Sequence, residues 1–186
     1  MSKLVREIVV LRYGHRDVRD YRVTSHCALV ARAFGAKEII VCGDTDESMK
    51  KSVDDITERW GGPFKVSFEE DWKTAFAKLK KKGFVFAHLT MYGEILIKKE
   101  KTLSKKQKIC VIIGSQKVER EVYDKVDYNV SVTSQPHSEI AALAVFLDRI
   151  QKGKELEKKF KKSKLRIVPQ EKGKRVINLN SLGGRK

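Results

Sequence analysis

Cysteine is scarce in this chain of 186 residues, and the three present, Cys27, Cys42 and Cys110, are scattered through apolar runs. Their odd number and wide spacing give neither a disulfide framework nor a CxxC metal clamp, so buried reduced thiols are expected. Long apolar runs are missing as well: none approaches the ~20 residues that a membrane-spanning helix needs. The opening stretch MSKLVREIVVLRYG carries charges through its apolar part and shows no small-residue cleavage site. No signal peptide is therefore expected, and the cytoplasm is the expected compartment, with no membrane partner. HExxH, GxSxG, P-loop and GxGxxG patterns are also missing, as is a paired-carboxylate motif. Metal-dependent and hydrolytic chemistry accordingly find no support in the sequence, and no metal site is expected.

What is abundant is positive charge. The formal net charge is +16, from 40 Lys and Arg against 24 Asp and Glu. Residues 151–186 hold 13 basic and 3 acidic residues, a net of +10, which leaves +6 for the preceding 150. A basic appendage on a mildly basic body suits a polyanion, most simply a nucleic acid. A solvated, solubilising tail is the other reading. Hydrophobic residues make up 41% of the chain, enough for one sizeable core.

Strand-like and helix-like runs alternate along the first 150 residues. Apolar strands are expected at 8–13, 38–42, 65–68, 84–89, 108–113 and 127–132. Amphipathic helices are expected at 25–35, 46–60, 71–82 and 139–151, with residues 95–108 read as a loop holding a short helix. Strands that are apolar throughout and separated by helices predict a mainly parallel α/β sheet covered on both faces. The tail differs. Residues 155–164 are lysine-dense, and residues 165–168 and 176–179 flank a turn containing Gly173, which predicts a β-hairpin. The organisation is thus an α/β domain over 1–150 and a basic hairpin extension over 151–186.

Four constellations carry chemistry. Arg12, His15, Arg16, Arg19 and Arg22 fall within eleven residues directly after the first strand, with Asp20 among them and His26 beyond. Read as a loop at a strand end, this cluster suits phosphate or carboxylate, since arginine forks bind both bidentately. It equally suits a solvated basic loop, and His26, beside an apolar helix face, suits a structural histidine. The second is His88-Leu89-Thr90-Met91-Tyr92-Gly93 at a strand end, a weak signal by itself. The third is Gly114-Ser115-Gln116-Lys117-Val118, where glycine lets the backbone approach a ligand. The fourth is the elbow Ser134-Gln135-Pro136-His137-Ser138-Glu139, with Pro136 in the first turn of the following helix and Ser134 or Gln135 as its cap. A ligand loop and a plain helix cap both fit it.

In this order, the four segments resemble the SPOUT class of RNA methyltransferases, and within it the archaeal enzymes that methylate the ribose 2′-oxygen of tRNA cytidine 56. The resemblance rests on RxxRDxRVTSHxALVARAFGA, HLTMYG, IIGSQKV and YNVSVTSQPHSEIAALAVFLDR, and it covers nearly all of residues 7–150. It implies a SPOUT-type sheet with a deep C-terminal trefoil knot, which periodicity does not reveal, since knots are exceptions to ordinary chain connections. It implies S-adenosylmethionine as cofactor, held by Leu89, by Ile113, Gly114, Ser115, Gln116, Lys117 and Val118, and by Val132, Thr133, Ser134, Gln135, Pro136, His137, Ser138 and Glu139. It implies a homodimer packed on the alanine-rich final helix, and a tRNA substrate, whose phosphates the charge of the basic tail suits. For catalysis it implies an arginine of the first motif, Arg22 before Arg19, as positioning group, with His26 as the chemically better base. A base-modifying SPOUT enzyme and a non-enzymatic RNA-binding α/β protein are the competing readings.

Overall fold

A computed structural model describes residues 6–182. Six parallel strands form one sheet: β1 (Glu7–His15), β2 (Glu38–Gly43), β3 (Lys65–Glu69), β4 (Val85–Ile95), β5 (Lys108–Gly114) and β6 (Tyr128–Ser131). Their order across the sheet is β3-β2-β1-β5-β4-β6. The helices are α1 (Asp17–Ala33), α2 (Glu47–Trp60), α3 (Trp72–Lys81), α4 (Leu96–Leu103), α5 (Arg120–Lys125) and α6 (Glu139–Gln151).

The period of two along each strand sorts side chains onto two cores. Ile8 and Val10 of β1, with Ile109, Val111 and Ile113 of β5, meet Ala28 and Ala31 of α1 and Leu143, Phe146 and Leu147 of α6. Val9, Leu11, Cys110 and Ile112 face the other way, against Trp72, Phe76 and Leu79 of α3 and Val122 of α5. Both faces are covered, which is why the strands read as unbroken apolar runs. All three cysteines are buried and free. Burial pushes the thiols of Cys27 and Cys42 up to about 12, so neither is a thiolate at neutral pH.

The strand order turns at β1 and β5: β2 and β3 extend to one side, β4 and β6 to the other. In open parallel sheets the crevice beyond the strand carboxyl ends at such a turning point is where ligands bind. Strand β4 runs well past the expected end, through Thr90-Met91-Tyr92-Gly93 to Ile95, and pairs with β6 on both sides of an irregularity between Leu89 and Glu94. There Gly93 lies against the β6 backbone so closely that a Cβ would stand 2.5 Å from Asn129 and Val130 backbone atoms.

The basic tail forms its hairpin from β7 (Leu165–Ile167) and β8 (Val176–Asn178), paired antiparallel. The segment before it is sewn to the body. Glu155 is buried, Lys158 donates to the Gly35 carbonyl at 3.0 Å, and Lys161 exchanges two backbone hydrogen bonds with Gly62. The Arg32 guanidinium lies 4.9 Å from the Phe160 ring centroid.

Candidate active site

The most deeply embedded charge in the molecule is Arg12, near the carboxyl end of β1. Its backbone pairs in register with Val41 of β2 and Ile113 of β5, and its side chain is fully buried. The guanidinium is satisfied on three sides. Nη1 donates to the Gly114 carbonyl at 2.7 Å, Nη2 to Glu139 Oε1 at 3.0 Å, and Nε to Thr24 Oγ1 at 3.4 Å. One side chain thus ties the loop after β5 to the start of α6. A buried arginine without such partners would be prohibitively costly.

The loop after β5 is pinned from a second direction. Ser115 donates its backbone N–H and its hydroxyl to the Tyr13 carbonyl, each at 2.9 Å, and the hydroxyl also reaches the Gly14 carbonyl. Gly14 has a φ of +72°, which favours glycine, and the Gln116 side chain lies directly over it. At Gly114 a Cβ would come 2.5 Å from Val118 Cγ2, so the loop folds tightly over that position.

At the third segment the expected cap is displaced. Ser138 caps α6, its Oγ accepting from Ile140 N at 3.1 Å, and the helix starts at Glu139. Ser134, Gln135, Pro136 and His137 precede it as exposed loop, with Thr133 Oγ1 accepting from Gln135 N at 3.3 Å, while Val132 and Thr133 are half-buried. The reason is local: Ser138 is the last residue with extended backbone before the helix, which is the geometry an N-cap needs.

The three segments enclose a cleft of about 370 Å³ at the carboxyl ends of β4 and β5. That lies within the usual small-molecule range of about 300–1,000 Å³. Of the residues singled out in the sequence, Leu89, Ile113, Gly114, Gln116, Lys117, Val118, His137 and Glu139 line it. Ser115, Val132, Thr133, Ser134, Gln135, Pro136 and Ser138 support the same loops without lining it. His88, Thr90, Met91 and Tyr92 of the HLTMYG run add one wall, and Ala142 of α6 adds the floor.

Tyr123 also lines the cleft, and no sequence signal pointed to it. It belongs to α5, a single turn and a half too short to leave a periodic trace. Its hydroxyl meets Thr90 Oγ1 at 3.1 Å, and its ring stands edge-on to His88 at 4.7 Å between centroids. Asn129 Nδ2 donates to the Tyr123 carbonyl at 2.9 Å, which turns Asn129 Oδ1 towards His88 Nδ1 at 3.0 Å. His88 therefore carries its proton on Nδ1, and burial pushes its pKa down, so it is neutral at pH 7.

The first-motif cluster is not a loop. Helix α1 begins at Asp17, and Arg19, Arg22 and His26 all lie on it, exposed. Their spacing of i, i+3 and i+7 puts the three on one face. None lines the cleft of its own chain. Asp20 is buried on the opposite side, where its carboxylate accepts from the Arg16 backbone N–H at 3.0 Å and from Arg16 Nε at 3.1 Å. Asp20 thus holds Arg16, rather than Arg19 or Arg22. Those bonds from Arg16 outweigh the burial of Asp20 and hold its pKa below the usual carboxylate value.

The family model described as tRNA ribose 2′-O-methyltransferase, aTrm56, matches residues 60–177. The chain belongs to the tRNA ribose 2′-O-methyltransferase family. A tRNA (cytidine(56)-2′-O)-methyltransferase of Thermococcus kodakarensis is 49% identical over 176 residues, covering 92% of this chain and 97% of that protein. One from Methanopyrus kandleri is 50% identical over 171 residues, covering 92% and 96%. Among solved structures, the A. aeolicus TrmH/SpoU tRNA modifying enzyme superposes with a TM-score of 0.58 at 12% identity, over 83% of this chain and 80% of that one. The SpoU methyltransferase AviRb of Streptomyces viridochromogenes, in complex with AdoMet, gives 0.56 at 15% identity over 78% of this chain. This chain spans 56% of the length of AviRb. These structures establish the SPOUT-type parallel sheet flanked by helices that the family members share.

Proposed function

We propose that this protein transfers a methyl group from S-adenosylmethionine to the ribose 2′-oxygen of cytidine 56 in tRNA. The observation that carries this reading is the cleft at the ends of β4 and β5, in a chain half identical along its length to enzymes of that name. The residues suit the cofactor. Leu89, Ile113, Val118 and Ala142 offer apolar walls for an adenine ring. When bound, S-adenosylmethionine supplies an electrophilic methyl group. The chain's own contribution is to bind, orient and exclude water. Arg12 holds the two cofactor loops together, and the neutral His88 presents an unprotonated Nε2 as a hydrogen-bond acceptor. Orientation of reactants alone contributes about 7–11 kcal/mol in favourable intramolecular cases.

Because Arg19, Arg22 and His26 stand away from the cleft of their own chain, a catalytic role for them rests on a homodimer that presents α1 of one protomer to the cleft of the other. Exposed Val18 and Tyr21 on α1 and exposed Ala141 and Val145 on α6 support such a contact. Arg22 is assigned to positioning the ribose and its phosphate, followed by Arg19, with His26 as the group able to accept a proton near neutral pH. The threaded, trefoil-knotted path of the family's fold is assigned to the segments around the cleft. The cytoplasm is the assigned compartment, and the hairpin extension the assigned grip on tRNA phosphates. Deleting residues 165–186 leaves the sewn segment intact and should weaken tRNA binding and flatten its salt dependence. Arg22→Ala should abolish transfer while cofactor affinity, read by calorimetry, stays within about twofold of the parent, a change below ~0.5 kcal/mol. Near-normal turnover in that variant would remove Arg22 from the mechanism.

A further inference from the structure

A buried polar chain runs behind the cleft. Arg12 Nε reaches Thr24 Oγ1 at 3.4 Å, Thr24 Oγ1 lies 2.9 Å from His15 Nδ1, and His15 Nε2 stands 4.0 Å from Asp46 Oδ2. All four residues are buried. They come from β1, its final residue, the middle of α1 and the N-cap of α2.

A guanidinium has only donors, so Thr24 Oγ1 accepts from Arg12. At the other end the Asp46 carboxylate faces His15 Nε2 and favours the ring proton there. Nδ1 is then left as an acceptor, and the Thr24 hydroxyl donates to it. His15 Nε2 and Asp46 Oδ2 are both sealed from solvent without a hydrogen-bond partner, and at 4.0 Å they face each other as charge and dipole rather than as a hydrogen bond. The second oxygen of Asp46 accepts from Met49 N at 2.8 Å and Ser48 Oγ at 3.2 Å, which anchors the carboxylate to the start of α2. The far end of the chain is the pair of bonds from Arg12 to Gly114 and Glu139, the two loops that form the cleft.

We propose that Thr24 and His15 are positioning residues for methyl transfer: acting through Arg12, they hold the Gly114 carbonyl and the Glu139 carboxylate in register, with the N-cap of α2 as the fixed end. This rests on reading the cleft as the cofactor site. The arrangement works only with a neutral imidazole. Protonated His15 would place a hydrogen on Nδ1, strip the Thr24 hydroxyl of its acceptor and set a second cation beside Arg12. The groups facing His15 are Asp46 from α2, Asp17 and Asp20 from α1, and Arg12 from its own strand. Burial outweighs the three carboxylates and favours the neutral ring.

The test is calorimetry of S-adenosylmethionine binding together with steady-state kinetics on three chains. Thr24→Val removes the hydroxyl at nearly constant shape, and Thr24→Ser restores it. Thr24→Val should bind the cofactor roughly tenfold more weakly and raise its KM by a similar factor, with kcat at saturation changed less than about threefold. Thr24→Ser should return to within about threefold of the parent. Equal affinity in the parent and Thr24→Val, or equal losses in the Val and Ser variants, would each overturn the proposal. A parent that binds no cofactor at all would instead overturn the reading of the cleft, and the proposal with it.

Discussion

Replacing Arg12 with methionine keeps most of the side-chain stem and removes every donor at the junction of the two cofactor loops. The Gly114 carbonyl loses its 2.7 Å partner and Glu139 loses its 3.0 Å partner. Hydrogen bonds to charged groups contribute ~1.5–3 kcal/mol each, and breaking a fully buried ion pair by removing one partner costs ~3–5 kcal/mol. Glu139 retains 32% side-chain exposure and recovers some hydration, which argues for less than the full value. The 3.4 Å contact to Thr24 is the longest of the three and adds the least to stability. The expected destabilisation is ~2–4 kcal/mol, equivalent for a chain of this size to a fall in Tm of roughly 4–16 °C. Denaturant unfolding at pH 7.5 should show the midpoint shift with an unchanged slope, since the compactness of the fold is not altered. Cofactor affinity should fall with it. Arg12→Lys keeps the charge without the fork, so it should land between the two. A methionine variant within ~0.5 kcal/mol of the parent, the usual scatter of a surface substitution, with full cofactor affinity would refute the role given to Arg12.

Gly93→Ala should lower stability by ~1–3 kcal/mol in the same assay, because its Cβ would meet the β6 backbone at 2.5 Å; a neutral change would show that the two segments are not so tightly crossed. Burial depresses the pKa of His15 and of His88. Each therefore adds stability that is complete above the unfolded value of ~6.5 and is lost as pH falls through that value to the lower folded one, so the unfolding midpoint at pH 5 should lie below that at pH 7.5. His88→Gln should shrink this difference, and an unchanged difference would exclude His88 as a contributor. A thiol reagent at pH 8 should label none of Cys27, Cys42 and Cys110 in the native protein and all three after unfolding, since burial keeps each thiol protonated. Rapid native labelling would contradict their burial.

Much of the sheet was legible because a strand covered on both faces has an apolar signature that nothing else in the chain mimics. The residues at 38–42 and 108–113 are examples. The two glycine and serine elbows were legible for a related reason: polar residues directly after such strands have no packing role. The start of α1 was not legible. Arg16 at its N-cap offers no side-chain cap, and the first turn is held instead by Asp44, 27 residues away, accepting from Asp17 N at 3.1 Å. A nonlocal cap leaves no local sequence signature, so the first two turns, which bear Arg19 and Arg22, read as a loop, whereas His26 falls within the helix expected at 25–35. Arg12 was misplaced for the opposite reason. Nothing near it in sequence satisfies it, and its partners Gly114 and Glu139 lie 102 and 127 residues on. Strand β4 was read as ending at Leu89, whereas Thr90–Gly93 stays extended because β6 pairs with it again beyond the irregularity.

The acceptor is one ribose oxygen, and removing that oxygen alone isolates it. Two tRNA transcripts differing only at nucleotide 56, one with cytidine and one with 2′-deoxycytidine, should be incubated with the protein and labelled S-adenosylmethionine, then digested and mapped by mass spectrometry. Label is expected as 2′-O-methylcytidine at position 56 of the first transcript and none in the second. Undiminished transfer to the deoxy transcript, or label on a base, would contradict it.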